Sequence, residues 1–166
     1  MAIPRPLAIR PADPTDAALI ASVYVPSWRA TYRDLLPPEA LASMHESEWA
    51  ARFRSQRDPG RTTLVAFRWG RAVGMVSFGP DREDAAYGEI YAIYVLPRSQ
   101  GRGVGRRLLD AALARLESRN VRAWCATANT RARDGYARQG FVADGGVGTY
   151  DVAGHSLPTV RYTLRR

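Results

Sequence analysis

The segment from Glu89 to Leu116 reads EIYAIYVLPRSQGRGVGRRLLDAALARL, and it predicts a strand, a glycine-rich loop and a helix. The run Glu89–Leu96 is too apolar and β-branched for a solvated edge, so we expect a central strand covered on both faces. Pro97 ends it. Apolar residues then recur every four positions, which indicates a helix with one apolar face. These residues are Val104, Leu108, Ala112 and Leu116.

The loop between this strand and this helix favours the binding of an anion. The first backbone N–H groups of a helix have no intrahelical partner and carry the positive end of its dipole. Glycines let a phosphate approach the backbone, and arginines add charge. The loop residues are Gln100, Gly101, Arg102, Gly103, Val104, Gly105 and Arg106. A glycine-rich turn that only caps the helix is the alternative. A dinucleotide fingerprint is excluded because its third glycine position holds Arg106 and no acid follows near residues 120–126.

The flanking sequence predicts an α+β fold with a mixed sheet. Asp13 and Pro14 are typical of a helix start, and that helix runs to about Tyr24. Pro37 and Pro38 open a second helical region that ends before Asp58. The other predicted elements are a strand at Leu7–Arg10, a hairpin of Thr62–Arg68 and Ala72–Phe78, a strand at Val121–Thr127, a helix at Thr130–Gln139, and strands at Val142–Tyr150 and Thr159–Leu164. The glycines of residues 144–148 predict a bulge.

The composition indicates one globular domain over residues 1–166, with 46% hydrophobic residues. The chain contains no lysine, which excludes Schiff-base catalysis and the lysine-dependent phosphate loop. One cysteine, Cys125, and two distant histidines give neither an internal disulfide nor a zinc site, so we expect no metal and a cytoplasmic location. We find no export signal and no membrane-spanning run.

The net charge of +8 is concentrated in one part of the chain. Ten arginines face three acids between Arg98 and Arg138. Such an excess favours an anionic partner, although a solvated arginine-rich face is an alternative. A nucleic-acid module is a weaker alternative because no stacking aromatics are interleaved with these arginines. We expect no nucleic-acid partner.

Two motifs together resemble the Gcn5-related N-acetyltransferase (GNAT) family. Gln100, Gly103 and Gly105 match that family's Q/R-x-x-G-x-G/A coenzyme-A signature. The segment from Asn129 to Phe141 matches its N-x-x-A-x-x-x-Y-x-x-x-G-F pattern. The resemblance implies a mixed, mostly antiparallel sheet of about seven strands, flanked by about four helices and splayed between strands 4 and 5.

The same resemblance implies acetyl-CoA as the acyl donor, bound in the cleft between those strands. The loop from Gln100 to Arg106 would hold the pyrophosphate. Backbone groups of Ile93 and Val95 would bond the acetyl carbonyl and the pantetheine, and Asn129 would approach the pantetheine. Transfer would be direct, within one ternary complex.

Acetyl transfer to an amine also needs a base and an acid. An amine with a pKa of about 10.4 is neutral only in roughly one part in a thousand at neutral pH, so a proton must be removed. Glu89 matches the place of the general base in some family members, and Tyr136 matches the usual donor to the departing sulfur. By alternation, Glu89 should share a strand face with Tyr91, Ile93 and Val95. Alternatively, Glu89 is solvated or paired with an arginine, and the amine loses its proton through water. The alternative for Tyr136 is that its ring only packs.

The sequence thus predicts an N-acetyltransferase acting on a primary amine of a small molecule, an amino acid or a peptide, as a monomer or a homodimer. A coenzyme-A-binding sensor without turnover is the alternative. Cys125 is interpreted as a buried, inert thiol rather than an acyl carrier. Trp28, Tyr32 and Leu36 fit core packing or an acceptor pocket equally well.

Overall fold

A computed structural model describes residues 6–56 and 58–166, which form seven strands and five α-helices. Residues 1–5 and 57 of the predicted single domain lie outside the described residues, and that domain assignment stays a prediction. The strands are β1 (Ala8–Pro11), β2 (Thr62–Arg68), β3 (Arg71–Pro80), β4 (Gly88–Val95), β5 (Asn120–Ala126), β6 (Val142–Val152) and β7 (His155–Arg165). The helices are α1 (Ala17–Tyr32), α2 (Pro38–Ala42), α3 (Glu46–Ser55), α4 (Val104–Arg115) and α5 (Thr130–Arg138).

The strands form one mixed sheet in the order β1-β2-β3-β4-β5-β7-β6. Only β4 and β5 are parallel among the described strands, and every other neighbouring pair is antiparallel. The crossover between these two strands is α4, which packs on β3 and β4. The predicted mixed, mostly antiparallel sheet is confirmed, with β4 in its middle.

The helices cover both faces of this sheet and create two cores. The side chains of α4 and Tyr136 of α5 pack on one face, and those of α1, α2 and α3 pack on the other. Strand β4 contributes to both cores, as expected for a strand covered on both sides. Within the described residues, no helix is both long and apolar enough to cross a membrane.

The first helices differ from the prediction in length and number. Helix α1 continues past Tyr24 to Tyr32, through Pro26, because Val25 and Trp28 on this extension are fully buried. The second helical region is two helices, α2 and α3, separated by an extended His45. Arg29 of α1 donates to the carbonyls of Leu41, at 3.1 Å, and Met44, so it satisfies acceptors released at this break. The described residues therefore form five α-helices, where about four helices were expected.

The last hairpin is longer than predicted. Ala153 and Gly154 take φ values of +48° and +78° and form a two-residue turn that pairs Val152 with His155. The sequence signal for this turn is weak because Ala-Gly is not among the strong hairpin pairs. The predicted bulge is confirmed by a register shift between Ala143 and Val147.

Candidate functional site

The loop that follows β4 is fixed by backbone conformation and by one side chain. Gly101 and Gly103 have φ values of +71° and +77°, which other residues rarely adopt. The Nε2 group of Gln100 donates to the carbonyl oxygen of Val95 at 2.9 Å and ties the loop to the end of the strand. The two glycines and Gln100 therefore set the direction in which α4 begins.

The N-terminus of α4 is open to a ligand. Gly103 is its N-cap, and no side chain of the described residues caps this helix. The N–H of Arg107 bonds the carbonyl of Gly103 at 3.1 Å, so the donors of the three preceding helical residues have no intrahelical partner. This arrangement is suited to an anion such as a pyrophosphate.

Strands β4 and β5 separate beside this helix end. Their pairing covers only Gly88–Ile90 with Val121–Ala123. The N–H of Leu96 bonds the carbonyl of Val73 at 2.9 Å, which fixes the hydrogen-bond alternation along β3 and β4. By that alternation, the N–H and C=O groups of Val95 and Ile93 point away from β3, into the gap. The carbonyl of Val95 already accepts from Gln100, so the gap offers the N–H of Val95 and both backbone groups of Ile93 to an extended ligand.

A cavity of about 630 Å³ lies between the end of β4, the start of α4 and α5. We call it the first cavity. Ten of the twelve predicted site residues line it: Ile93, Val95, Gln100, Gly101, Gly103, Val104, Gly105, Arg106, Asn129 and Tyr136. Arg102 is exposed and lines neither this cavity nor the one described below.

Two arginines of α5 line the first cavity without having been predicted as site residues. Arg131 and Arg138 are seven residues apart, close to two helical turns, and so lie on one side of α5. Each lies two positions after a predicted site residue, Asn129 or Tyr136, a spacing that does not place side chains on one side of a helix, so motif spacing carried no signal for them. Gly135 also lines the cavity, and a Cβ added there would meet no atom within 4 Å. The cavity wall is therefore cationic and open on this side.

Asn129 is held in place by its own helix, and Tyr136 is held by aromatic packing against residues outside that helix. The side chain of Asn129 accepts from the N–H of Ala132 at 3.1 Å and caps α5. The ring of Tyr136 packs against Phe141 at 5.2 Å and Tyr162 at 6.2 Å between centroids. Burial raises the pKa of the Tyr136 hydroxyl well above its usual range, so this group stays protonated at neutral pH.

A β-bulge changes the direction of Glu89. The register between β3 and β4 shifts between Ser77 and Phe78, so Tyr91 is an extra residue on β4. Ile93 and Val95 consequently pack on the α4 side, whereas Glu89 faces the α1 and α3 side with Ala92 and Tyr94. The expectation that Glu89 shares a face with Ile93 and Val95 is wrong, because simple alternation does not continue through a bulge.

Arg82, in the loop before β4, binds the carboxylate of Glu89. The backbone N–H of Arg82 donates to Oε2 at 3.1 Å, and its Nε lies 3.2 Å and 3.1 Å from the two oxygens. The side chain of Glu89 is 2% exposed. The hydrogen bond to Glu89 is the largest cause that raises the pKa of Arg82. Glu89 is thus buried and paired, and the sequence did not identify Arg82.

A second cavity of about 910 Å³ lies on the α1 and α3 side and includes Glu89 and Arg82. Its walls come from α1, α3 and the β6–β7 hairpin. Five residues line both cavities, so the two spaces meet there: Ile93, Tyr94, Asn129, Ala132 and Tyr136. Two ligands entering from opposite sides would meet beside Tyr136.

Four other residues singled out from the sequence lie in different parts of the structure. Tyr32 lines the second cavity, whereas Trp28 and Leu36 are buried in the helical core and line neither cavity. Cys125 also lines the second cavity, and burial raises the pKa of its thiol to about 11. The described residues contain no group of three or more His, Cys, Asp or Glu side chains that could hold a metal ion.

Comparison with known proteins gives consistent matches. Residues 21–141 match the acetyltransferase (GNAT) family. A Mycobacterium tuberculosis protein named "Probable N-acetyltransferase" is 33% identical over 98% of this chain and 96% of its own length. A GCN5-related N-acetyltransferase structure from Rhodopseudomonas palustris has a TM-score of 0.74 and 29% identity, covering 100% of this chain and 99% of that one.

The fold is also that of a structure solved with coenzyme A. The PaiA N-acetyltransferase of Thermoplasma acidophilum, in complex with coenzyme A, has a TM-score of 0.72 and 18% identity. The alignment covers 97% of this chain and 99% of that one.

Proposed function

Because this chain belongs to the GNAT family of acetyltransferases, we propose that it transfers acetyl from acetyl-CoA directly to the primary amine of a small molecule, an amino acid or a peptide. The observation that carries the proposal is the junction of the two cavities. One cavity ends at an uncapped helix N-terminus, and the other holds a buried carboxylate. Amine and thioester would meet at Tyr136.

The residues of the first cavity fit acetyl-CoA. The N–H groups at the start of α4, with Arg106, would bind the pyrophosphate. Arg131 and Arg138 would add positive charge for the phosphates. The backbone groups of Ile93 and Val95 that face the gap would bond the amides of the pantetheine arm. Arg102 is assigned no contact because it lies outside the cavity.

The bound thioester supplies an activated carbonyl carbon, and the chain orients the amine toward it. A C–N bond forms and the C–S bond breaks, with no net change in oxidation state. Glu89 takes the proton that the amine nitrogen loses, and Tyr136 gives a proton to the sulfur. Solvent later restores both groups. Backbone N–H groups of β4 stabilise the negative charge that develops on the carbonyl oxygen.

The burial of Tyr136 is compatible with its role as a proton donor. Burial raises the pKa of a phenol and of a thiol alike. The pKa of the neighbouring Cys125 thiol, raised to about 11, illustrates this effect in the same cleft. A thiolate released beside Tyr136 is therefore more basic than in water and accepts a proton more readily.

Release of free thiol from acetyl-CoA, measured across a panel of primary amines, tests the proposed function. We expect release with at least one class of amine and a mass increase of one acetyl group on that amine. The chain has no lysine, so acetylation of its own side-chain amines gives no background. Tight acetyl-CoA binding without release for any amine would contradict the proposed function.

A cytoplasmic location is part of this proposal, supported by the single cysteine.

A further inference from the structure

An aromatic row leads from the junction of the cavities to the rim of the second cavity. We define it as Tyr94, Tyr24 and Trp49. The ring centroids of Tyr94 and Tyr24 are 4.9 Å apart, and those of Tyr24 and Trp49 are 4.5 Å apart. The indole N–H of Trp49 donates to Sδ of Met44 at 3.1 Å, which fixes this last ring. The row therefore presents a preformed apolar surface that starts at the transfer point.

A guanidinium group stands at the far end of the row. The Cζ atom of Arg52 lies 4.9 Å from the centroid of the Trp49 ring. A stacked guanidinium keeps its edge N–H groups free to bind a carboxylate at two points. Arg52 is exposed and lines the second cavity, so a ligand in that cavity can reach it.

The charge of Arg52 is not compensated, unlike that of the other cations of the cavity. Arg61 is 3.1 Å from a carboxylate oxygen of Asp58, and Arg82 is bound to Glu89. Glu83, the remaining acid of the lining, lies 3.7 Å from Arg161. Within residues 6–56 and 58–166, no acid lies within ion-pair distance of Arg52. The cavity thus has one positive charge in excess.

We propose that the acceptor is an amine joined through a flat apolar body to a carboxylate, with the body on the aromatic row and the carboxylate on Arg52. This inference rests on the proposed function and adds the substrate class. The planes of Tyr94 and Tyr24 are 71° apart and those of Tyr24 and Trp49 are 32° apart, so an aromatic body would stack on one ring and contact the edges of its neighbours. A polyamine or an aminoglycoside fits less well, because its further positive groups would face Arg52.

The test compares 4-(aminomethyl)benzoate with 4-(aminomethyl)benzamide, which differ only in the charge of the far group. We expect kcat/KM for the acid to exceed that for the amide by on the order of 10-fold to 100-fold, as for hydrogen bonds to a charged group. Arg52→Gln should reduce this ratio to near one, mainly by lowering kcat/KM for the acid. Arg71→Gln, at the start of β3 and outside both cavities, is the matched control and should keep the ratio.

Calorimetric titration of the same two amines, with coenzyme A present, gives a readout that is independent of turnover. The wild-type protein should bind the acid more tightly, and Arg52→Gln should bind both alike. Equal binding by the wild-type protein, or an equal loss for both amines in Arg52→Gln, would overturn the substrate class. Absence of thiol release with every amine would instead contradict the proposed function, while the titration still decides the role of Arg52.

Discussion

The carboxylate of Glu89 is held at both oxygens by Arg82, seven residues earlier in the chain. Arg82 binds it through its backbone N–H and through its guanidinium, which is 62% exposed. A carboxylate that lines the second cavity is therefore fixed in position by an arginine that reaches solvent. Because burial of an unpaired carboxylate is unfavourable, the pairing with Arg82 offsets the cost of placing the Glu89 side chain inside the protein.

If Glu89 is the general base, Glu89→Gln should lower kcat by on the order of 100-fold, since general-base catalysis contributes about 10² to 10⁴. The amide still accepts a hydrogen bond from Arg82, so acetyl-CoA affinity should stay within about twofold. Steady-state kinetics across pH, with calorimetry for acetyl-CoA, measure both quantities. Arg82→Gln serves as the comparison. If Glu89 and Arg82 form a purely structural pair, both variants should lose the same thermal stability, and Glu89→Gln should keep the kcat of the wild-type protein.

Gly103→Glu should weaken acetyl-CoA binding by on the order of 10-fold or more. The new carboxylate lies at the helix N-terminus that would bind the pyrophosphate, where one charge is worth roughly 1 to 2 kcal/mol. The matched control is Gly154→Glu, since Gly154 has a φ of +78° and no atom within 4 Å of an added Cβ, as at Gly103. Both variants should lose about 1 to 2 kcal/mol of unfolding free energy through backbone strain. Equal acetyl-CoA affinities in the two variants, by calorimetry, would refute the loop assignment.

Tyr136→Phe should reduce kcat by on the order of 100-fold and change KM for acetyl-CoA little. The phenylalanine ring keeps the contacts with Phe141 and Tyr162, so the melting temperature should change by only a few degrees. Thiol-release kinetics and thermal denaturation separate the two effects. A fully active variant with normal stability would leave Tyr136 as a packing residue.

Cys125→Ala should leave kcat nearly unchanged. Burial raises the thiol pKa to about 11, so only roughly one molecule in ten thousand carries the thiolate at pH 7. Intact-protein mass spectrometry after incubation with acetyl-CoA should show no acetyl group on the wild-type cysteine. An inactive alanine variant, together with an acetylated wild-type protein, would point to a covalent route and against direct transfer.

Acid should destabilise the fold through Asp16. Two hydrogen bonds from Arg10, at 2.8 and 2.9 Å, lower the pKa of Asp16 from 3.8 to about 2. A lowered folded-state pKa gives stability that is fully present above the unfolded value and is lost as the pH falls from about 4 to about 2. Asp16→Asn should flatten this part of the curve of urea midpoint against pH. Asp34→Asn, at an exposed position, is the control and should retain the slope.

Elements that depend on local conformation could be predicted from the order of the amino acids alone. The positive φ of Gly101 and Gly103 and the repeat beginning at Val104 act within a few residues, so the loop and α4 were predictable. The hairpin turn at Gly70 has the same local origin. The resemblance of the segment from Asn129 to Phe141 to the family pattern implied that Asn129 and Tyr136 lie in the same cavity as the loop, and both line it.

Contacts between groups on different elements could be identified only in the folded chain. The bulge at Tyr91 depends on pairing with β3, and it turns Glu89 to the opposite face from Ile93. The pairing of Arg82 with Glu89 depends on how the loop before β4 folds. The contact of Tyr24 with Trp49 joins two helices that are separated in the chain. Such contacts depend on long-range packing and register, which hydrophobic periodicity does not specify.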